Sequence, residues 1–432
     1  MNEVKRFVKK YAPKSMLRQL ALTYHFGEAV AANIRFGFPG RSARVIMVTG
    51  TNGKTTTSAY IAKILQTSGF KVGVISTAFY QIGDRVIPNE DNMTVVNVFK
   101  LQAMLAEMRA AKVDFIILEV TAHALTQYRV WGIPPEVVVM TNLTQDHLDY
   151  YGTMDAYAAA KAKLFTMEPR FIVLNRDDEW FDYYNKYSAK EVKMNYGTTE
   201  DAECRVVDAK LQKNGSEVSL EIDKTIKLQY RTHLPGKFNV YNATAAATAA
   251  YLLHVELPKI AKGIEALESV PGRLELVDEG QSFSVVVDYA HTPDALQNLL
   301  ETLKALTKNR LILVFGATGD RDKAKRPIMG GIAAKMADRI VLTDDESYSE
   351  DPAVIRAEVR RGVEASGGDG HFDEVADRRE AIKKAFVIAR PGDTVAITGM
   401  GHEKFRIMGD QKLPWNDTEV ARELLKEKLK KP

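Results

Sequence analysis

"VIMVTGTNGKTTTSAY", residues 45–60, sets an apolar run before a glycine-rich loop and a helix-like stretch. Strand, small-residue loop and helix in that order make a phosphate cradle. Gly50 and Gly53 let backbone amides approach an oxyanion, and the following helix N-terminus favours negative charge. Lys54 can reach outer phosphates, and the Thr55 hydroxyl can sit on magnesium. The spacing is not that of the common G-x-x-x-x-G-K loop. Only Thr51 and Asn52 separate Gly50 from Gly53, Lys54, Thr55 and Thr56.

Outward from this loop, apolar runs alternate with helical stretches. "ARVIMVT", "KVGVIST", "FIILEV", "EVVVMTNL" and "FIVLNRDD" read as strands, which implies a parallel sheet covered on both faces. Residues 202–232 alternate in polarity around "KNGS", so a small antiparallel patch is expected there. Pro and Gly in "SVPGRLELVDEG" mark a boundary. Beyond it "FSVVVDYAH", "RLILVFGAT", "DRIVLTDD" and "DTVAITGMG" form a second parallel α/β system, closed by a charged helix at 417–430. The fold class is therefore α/β. A P-loop parallel-sheet ATPase domain at 45–271 precedes a Rossmann-like domain at 272–432. Residues 1–44 form a short basic segment with a helix at 15–36.

The 432-residue chain has one cysteine, Cys204, which excludes an internal disulfide and a cysteine-based zinc cluster. No apolar stretch approaches the roughly 20 residues of a membrane span, and no cleavable apolar core follows the basic start. A cytoplasmic location is expected. Residues 1–44 carry nine Lys/Arg and two acids, a net of +7, so the rest sums to −4. A basic helical lead of this kind serves a membrane surface, an anionic substrate or solubility. Nothing points to nucleic acid.

Two further features carry chemistry. Glu119 ends "FIILE" and so projects from a strand's C-terminal edge, where open α/β sheets bind ligands. A carboxylate there can hold magnesium or its waters. The stretch "TNLTQDHLDYYGTMDAYAAAKAKLF", 141–165, brings His147 and Lys161 together with several acids.

"GTNGKTTT", "EVTAHAL", "TNLTQDHLDYYGT", "FNVYNA", "VPGRLE", "DYAHTPDAL", "GATGDRDKAKRP" and "GMGHE" follow one another in order. Together they resemble the Mur ligases, nearest the UDP-N-acetylmuramoyl-tripeptide synthetase type. The resemblance covers about residues 44 to 425 and accounts for the shortened loop. It implies ATP-dependent amide formation through an acyl phosphate, with two magnesium ions. It implies that Thr55 and Glu119 hold the first ion and that His147 lies by the second. Lys161 matches a lysine that the family carbamylates. Asn239 and Asn242 match adenine-side residues, Arg273 a phosphate-reaching arginine, and Asp288 and His291 the far wall of the ATP site.

The chain also departs from that pattern. Only about 44 residues precede the loop, too few for the domain that grips UDP in the full family enzyme. A related branch without that domain acts on lipid-linked precursors. Among acceptor contacts, Gln127 and Arg129 match, Thr121 stands for a serine, and Thr94 is followed by Val95 rather than a second threonine. The amino-acid selector reads "DESY", Asp345 to Tyr348, in place of the Asp-Asn-Pro-Arg of diaminopimelate-adding members. Arg321 and Glu403 remain as contacts to the incoming amino acid. With Asp345, Glu346 and Glu403 acidic and the arginine absent, a cationic amino acid such as lysine is expected. The rival expectations are a folylpolyglutamate-synthetase-like ligase and an ATP-binding partner subunit without turnover.

Overall fold

The computed structural model of the protein describes residues 14–430 except Asn92 and Lys213, so the basic stretch 1–13 lies outside the described residues. Two large sheets organise the described residues. The first contains β1 (Arg44–Thr49), β2 (Val72–Ile75), β3 (Phe79–Ile82), β4 (Arg85–Pro88), β5 (Phe115–Glu119), β6 (Val137–Met140), β7 (Phe171–Asn175), β8 (Val192–Gly197), β9 (Cys204–Gln212), β10 (Gly215–Ile222) and β11 (Ile226–Thr232). Their spatial order is β11-β10-β9-β8-β7-β6-β1-β5-β2-β3-β4.

The central strands are parallel and buried on both faces, which is why they read as unbroken apolar runs. Side chains alternate across the pleat. Ile46 and Val48 enter one core with the helices Lys54–Thr67 and Lys237–Leu252. Val45 and Met47 enter the other, with the helices Val98–Ala110 and Met154–Ala162. The alanines of Lys237–Leu252 let it lie close to the sheet and to Lys54–Thr67, directly behind the loop.

Residues 202–232 are antiparallel as expected, but they extend the large sheet. β9 joins β8 in parallel through Tyr196↔Cys204 and Gly197↔Arg205. The hairpin β3–β4 on the opposite edge was not among the expected strands, and β4 is exposed throughout.

The second sheet runs β12-β13-β17-β14-β15-β16, from β12 (Glu275–Leu276), β13 (Ser284–Asp288), β14 (Leu311–Phe315), β15 (Arg339–Leu342), β16 (Phe372–Glu374) and β17 (Thr394–Thr398). All its pairings are parallel except β12 with β13. A hairpin, β18 (Phe405–Met408) and β19 (Gln411–Pro414), precedes the closing helix Asp417–Leu429.

The leading helix spans Lys14–Phe36. Ala29 and Ala32 pack against Val98, and Phe26 sets its ring edge-on to Tyr128 and Trp131. Among the described residues no helix is long and apolar enough to cross a membrane.

Candidate active site

The loop after β1 is braced from beneath. Asn52 N donates to Asn142 Oδ1 at 2.9 Å, and Thr141 Oγ1 donates to Asn52 O at 2.6 Å. Its two glycines have no room for a side chain. Gly50 has φ +148°, and a Cβ there would meet Thr141 Oγ1 at 1.8 Å. Gly53 has φ +83°, and a Cβ would meet Asn242 Oδ1 at 2.3 Å. Left-handed backbone and close approach together require glycine. Lys54 Nζ crosses the loop to donate to Thr51 O at 2.7 Å. Burial lowers the Lys54 pKa, against the attraction of Glu119.

Thr55 opens the helix behind the loop. Its hydroxyl donates to Glu119 Oε2 at 3.0 Å and receives Arg273 Nη2 at 3.2 Å. Glu119 is buried at the end of β5, and Thr77 gives it both an amide and a hydroxyl hydrogen bond, each 2.8 Å. This pairing of a hydroxyl with a satisfied carboxylate offers hard oxygen donors of the kind magnesium takes. The loop residues Gly50 to Thr56 line an open cleft. Among the described residues no group of three or more His, Cys, Asp or Glu could hold a metal.

Lys161 comes from the helix Met154–Ala162 and is buried. Its Nζ donates to Gly50 O at 2.8 Å. Burial, then the nearby Lys54 charge, pushes its pKa well below the ordinary value. His147 adopts φ 56° and sets Nε2 3.3 Å from Asp146 Oδ2. Its ring meets His123 edge-on at 4.9 Å, and burial lowers its pKa to about 3. Burial would raise the Asp146 carboxyl, but Lys325, His147 and His291 hold it below the usual carboxylate range.

The second sheet's unit closes the cleft, whose volume is about 590 Å³. Lys325 Nζ lies 3.4 Å from Asp146 Oδ1, Gln145 Nε2 donates to Asp322 Oδ2 at 3.1 Å, and Asn52 Nδ2 donates to Asp294 Oδ2 at 2.7 Å. Asp288 and His291 line this wall. Asp288 accepts Leu274 N at 2.7 Å and Ala290 N at 2.8 Å, so it also organises the linker. His291 Nδ1 donates to Tyr289 O at 2.7 Å.

The remaining candidate residues divide. Asn242 lines the cleft, while Asn239 lies behind it, accepting Asn242 Nδ2 at 3.2 Å and donating to Pro235 O. Thr94 and Thr121 line the cleft. Gln127 and Arg129 are not cleft-lining; they pair with each other at 2.6 Å, and Arg129 also holds the Val95 carbonyl. At the far end Arg321, Glu346, Tyr348 and Glu403 line the cleft, and Asp345 is buried beside them. Tyr348 OH donates to Glu346 Oε2 at 3.1 Å, and the Arg321 guanidinium sits 4.9 Å over the Tyr348 ring. Burial and Asp345 raise Glu346 to about 7; burial and Glu346 raise Glu403 well above its ordinary value.

Thr77, Asp146, Lys325 and His402 were not singled out from the sequence. Asp146, Lys325 and His402 lie inside motifs quoted for the resemblance, so their signal was present. Thr77 has none beyond following a strand.

A shortened phosphate loop, facing a second parallel α/β unit across an oxygen-rich cleft, defines a P-loop ligase built on two sheets. The chain belongs to the Mur ligase family: residues 48–250 match the Mur ligase middle domain, and residues 272–401 match the Mur ligase, glutamate ligase domain. It is 42% identical over 405 residues to the UDP-N-acetylmuramoyl-L-alanyl-D-glutamate–2,6-diaminopimelate ligase of Syntrophomonas wolfei, covering 93% of this chain and 82% of that one. The ligase of the same name from Geobacillus thermodenitrificans is 40% identical over 408 residues, with the same coverage. A solved structure of such a ligase aligns at 35% identity and TM-score 0.61, over 90% of this chain and 79% of that one. Folylpolyglutamate synthase of Mycobacterium tuberculosis shares the fold, with TM-score 0.71 at 20% identity over 86% of this chain and 92% of that one.

Proposed function

We propose that the protein is an ATP-dependent ligase that joins the amine of an amino acid to a carboxylate of a muramoyl-peptide acceptor. The observation that carries this is the convergence on Thr55, where Glu119 and Arg273 reach one hydroxyl from either side of the cleft. Lys54 leaves the Thr51 carbonyl to meet the β- and γ-phosphates, and Arg273 adds positive charge as they transfer. The acceptor carboxylate attacks the γ-phosphorus, and ADP departs. The amino-acid nitrogen then attacks the acyl carbon, loses a proton and expels phosphate. Such transfer depends on positioning and charge neutralisation more than on a protein nucleophile. Magnesium, bound by Thr55 and Glu119 with a second ion near His147, would neutralise phosphate charge.

Lys161 is proposed to be carbamylated. Its amine is neutral enough to attack carbon dioxide, lose a proton and become an anionic oxygen donor. An ammonium would repel a neighbouring cation, whereas a carbamate attracts it.

The relatives are named for 2,6-diaminopimelate. Here the selector ends in Tyr348, and Glu346 and Glu403 face the cleft, which favours a side chain ending in an ammonium alone. Lysine is the proposed substrate over diaminopimelate. The rest of the proposed site follows the family pattern with one difference of depth: Thr94 and Thr121 meet the acceptor and Asn242 the adenine side, while Gln127 and Arg129 act through the Val95 carbonyl beside Thr94, and Asn239 acts through Asn242. Peripheral membrane contact by residues 1–44 draws support from Leu20, Tyr24 and Ile34, which share one exposed face of the leading helix. Co-sedimentation with anionic vesicles tests it.

The deciding experiment follows ADP release and product mass. Lysine and diaminopimelate are supplied with UDP-linked, lipid-linked and free muramoyl dipeptides, and with a pterin glutamate. Amide formed on a muramoyl dipeptide supports the assignment; amide formed on the pterin alone would replace it.

A further inference from the structure

His402 ties the second sheet's unit to the first. It follows β17 in the "GMGHE" loop, and its Nε2 stands 3.0 Å from the backbone oxygen of Thr77. A carbonyl oxygen only accepts, so Nε2 carries the hydrogen. Nδ1 then holds a lone pair, and among the described residues it is buried without a partner. A second ring proton would meet no acceptor, and burial accordingly lowers the His402 pKa to about 3. The ring is therefore a neutral, single-donor group.

Its backbone has little freedom. A Cβ on Gly272 would lie 2.3 Å from His402 N, and one on Gly401, at φ +53°, would lie 2.8 Å from Tyr289 Cβ. The loop is wedged between the linker and Tyr289, whose ring centroid lies 5.0 Å from that of His402. The linker that carries Gly272 carries Arg273 next in sequence. Arg273 and His402 thus reach the first unit from one assembly.

Thr77 is where that reach becomes consequential. Its amide and its hydroxyl each donate to one oxygen of Glu119. With that hydrogen committed, the hydroxyl accepts from Thr94 Oγ1 at 2.8 Å. The donors run Thr94 to Thr77 to Glu119, and the Thr77 carbonyl is held from the other unit by His402.

The geometry points to His402 as a positioning residue that fixes Thr77 and so aims the Glu119 carboxylate when the second unit docks. Docking and completion of the magnesium site become one event. This rests on the proposed function insofar as Glu119 is taken as a magnesium ligand. Groups that orient a metal ligand from outside typically change metal affinity or activity about 10–100-fold when removed.

The test compares His402→Phe, which keeps a ring and deletes the donor, with His402→Gln, whose side-chain amide restores a donor near Nε2. Calorimetry of ADP binding across magnesium concentrations is the first readout. The half-saturating magnesium concentration should rise about tenfold in His402→Phe and return to within about twofold of the unsubstituted protein in His402→Gln. The amino-acid KM should hold in both variants while kcat falls in His402→Phe. A role confined to shaping the loop would instead raise the amino-acid KM through Glu403 and leave the magnesium dependence unchanged, overturning the proposal. Equal shifts in the two variants would overturn it as well. Should His402→Phe not fold, His402→Met, of similar length without a donor, takes its place. ADP binding needs no acceptor. Failure of the ligase reading would therefore appear separately, as no amide formed by the unsubstituted protein.

Discussion

Arg273 Nη2 stands 3.2 Å from Thr55 Oγ1, although 218 residues separate them. The guanidinium comes from the linker before β13, and the hydroxyl belongs to the helix behind the phosphate loop. In the proposed reaction their meeting would set a positive charge beside the phosphates as they transfer. Arg273→Ala should lower kcat by roughly 10²–10³-fold, the usual loss for one preorganised donor. ADP affinity should fall far less. Steady-state kinetics beside calorimetry separates the two, and an unchanged kcat would remove Arg273 from the transfer step.

Lys54→Ala should abolish amide formation. Among the described residues the side chain hydrogen-bonds only the local Thr51 carbonyl across the loop, so its removal should leave the fold intact. Circular dichroism should superimpose on that of the unsubstituted protein. Measurable turnover near the original rate would contradict the assignment.

Gly50→Ala tests the cradle. The added carbon would need to occupy the position of Thr141 Oγ1, in a backbone conformation that alanine resists. Nucleotide affinity should drop by at least about tenfold as the loop is pushed from Thr141. Gly50→Ala paired with Thr141→Ala relieves the clash but not the backbone demand, so only partial recovery is expected. Full recovery would mean that sterics alone set the loop.

The loop was readable because its chemistry is contiguous: Gly50 to Thr56 stand together, and an apolar run followed by a helix allows few other readings. Glu119 was readable for a related reason, a single carboxylate at the end of a buried strand. Thr77 was not. A lone threonine after β2 gains its role only from Glu119 on a neighbouring strand and His402 from the other sheet's unit. Lys325 and Asp146 each lay in a quoted motif, but that they would meet depends on how two units close. The extension of the main sheet through β9 hangs on two paired positions, too few for any polarity pattern to announce. The edge strand β4 is exposed along its whole length and carries no buried-strand signal.

Lys161 should carry a carbamate. A ¹³C-bicarbonate-labelled sample should give a carbamate carbon signal that Lys161→Ala lacks. That variant should be inactive and partly rescued by acetate, which supplies a carboxylate to the same space. An unmodified amine in labelled protein that is fully active would exclude the modification. Lys161→Met should unfold at a higher temperature than an uncarbamylated sample, since a buried amine opposite Lys54 is replaced by an apolar chain of similar length.

Glu346 offers a pH-dependent test of which amino acid is taken. Its carboxyl ionises at about 7 in the folded protein against 4.5 ordinarily, chiefly through burial and then through Asp345. The folded state therefore keeps its proton longer than the unfolded chain. Its contribution to stability is complete below 4.5 and is lost as pH rises through about 7. Glu346→Gln should gain stability relative to the unsubstituted protein across that window, and the two should converge at lower pH. Binding a substrate ammonium reverses the preference, because it favours the ionised carboxylate. The KM for lysine should fall as pH rises from about 6 to 8, by at most about tenfold per pH unit below the carboxyl's own pKa. In Glu346→Gln that slope should flatten. A second carboxylate, as in diaminopimelate, meets like charge as Glu346 ionises, so its KM should improve less over the same range. If diaminopimelate is instead used more efficiently than lysine throughout, with a slope insensitive to Glu346→Gln, then Arg321 rather than the acidic wall governs the choice. Replacement of Tyr348 by arginine would then add little.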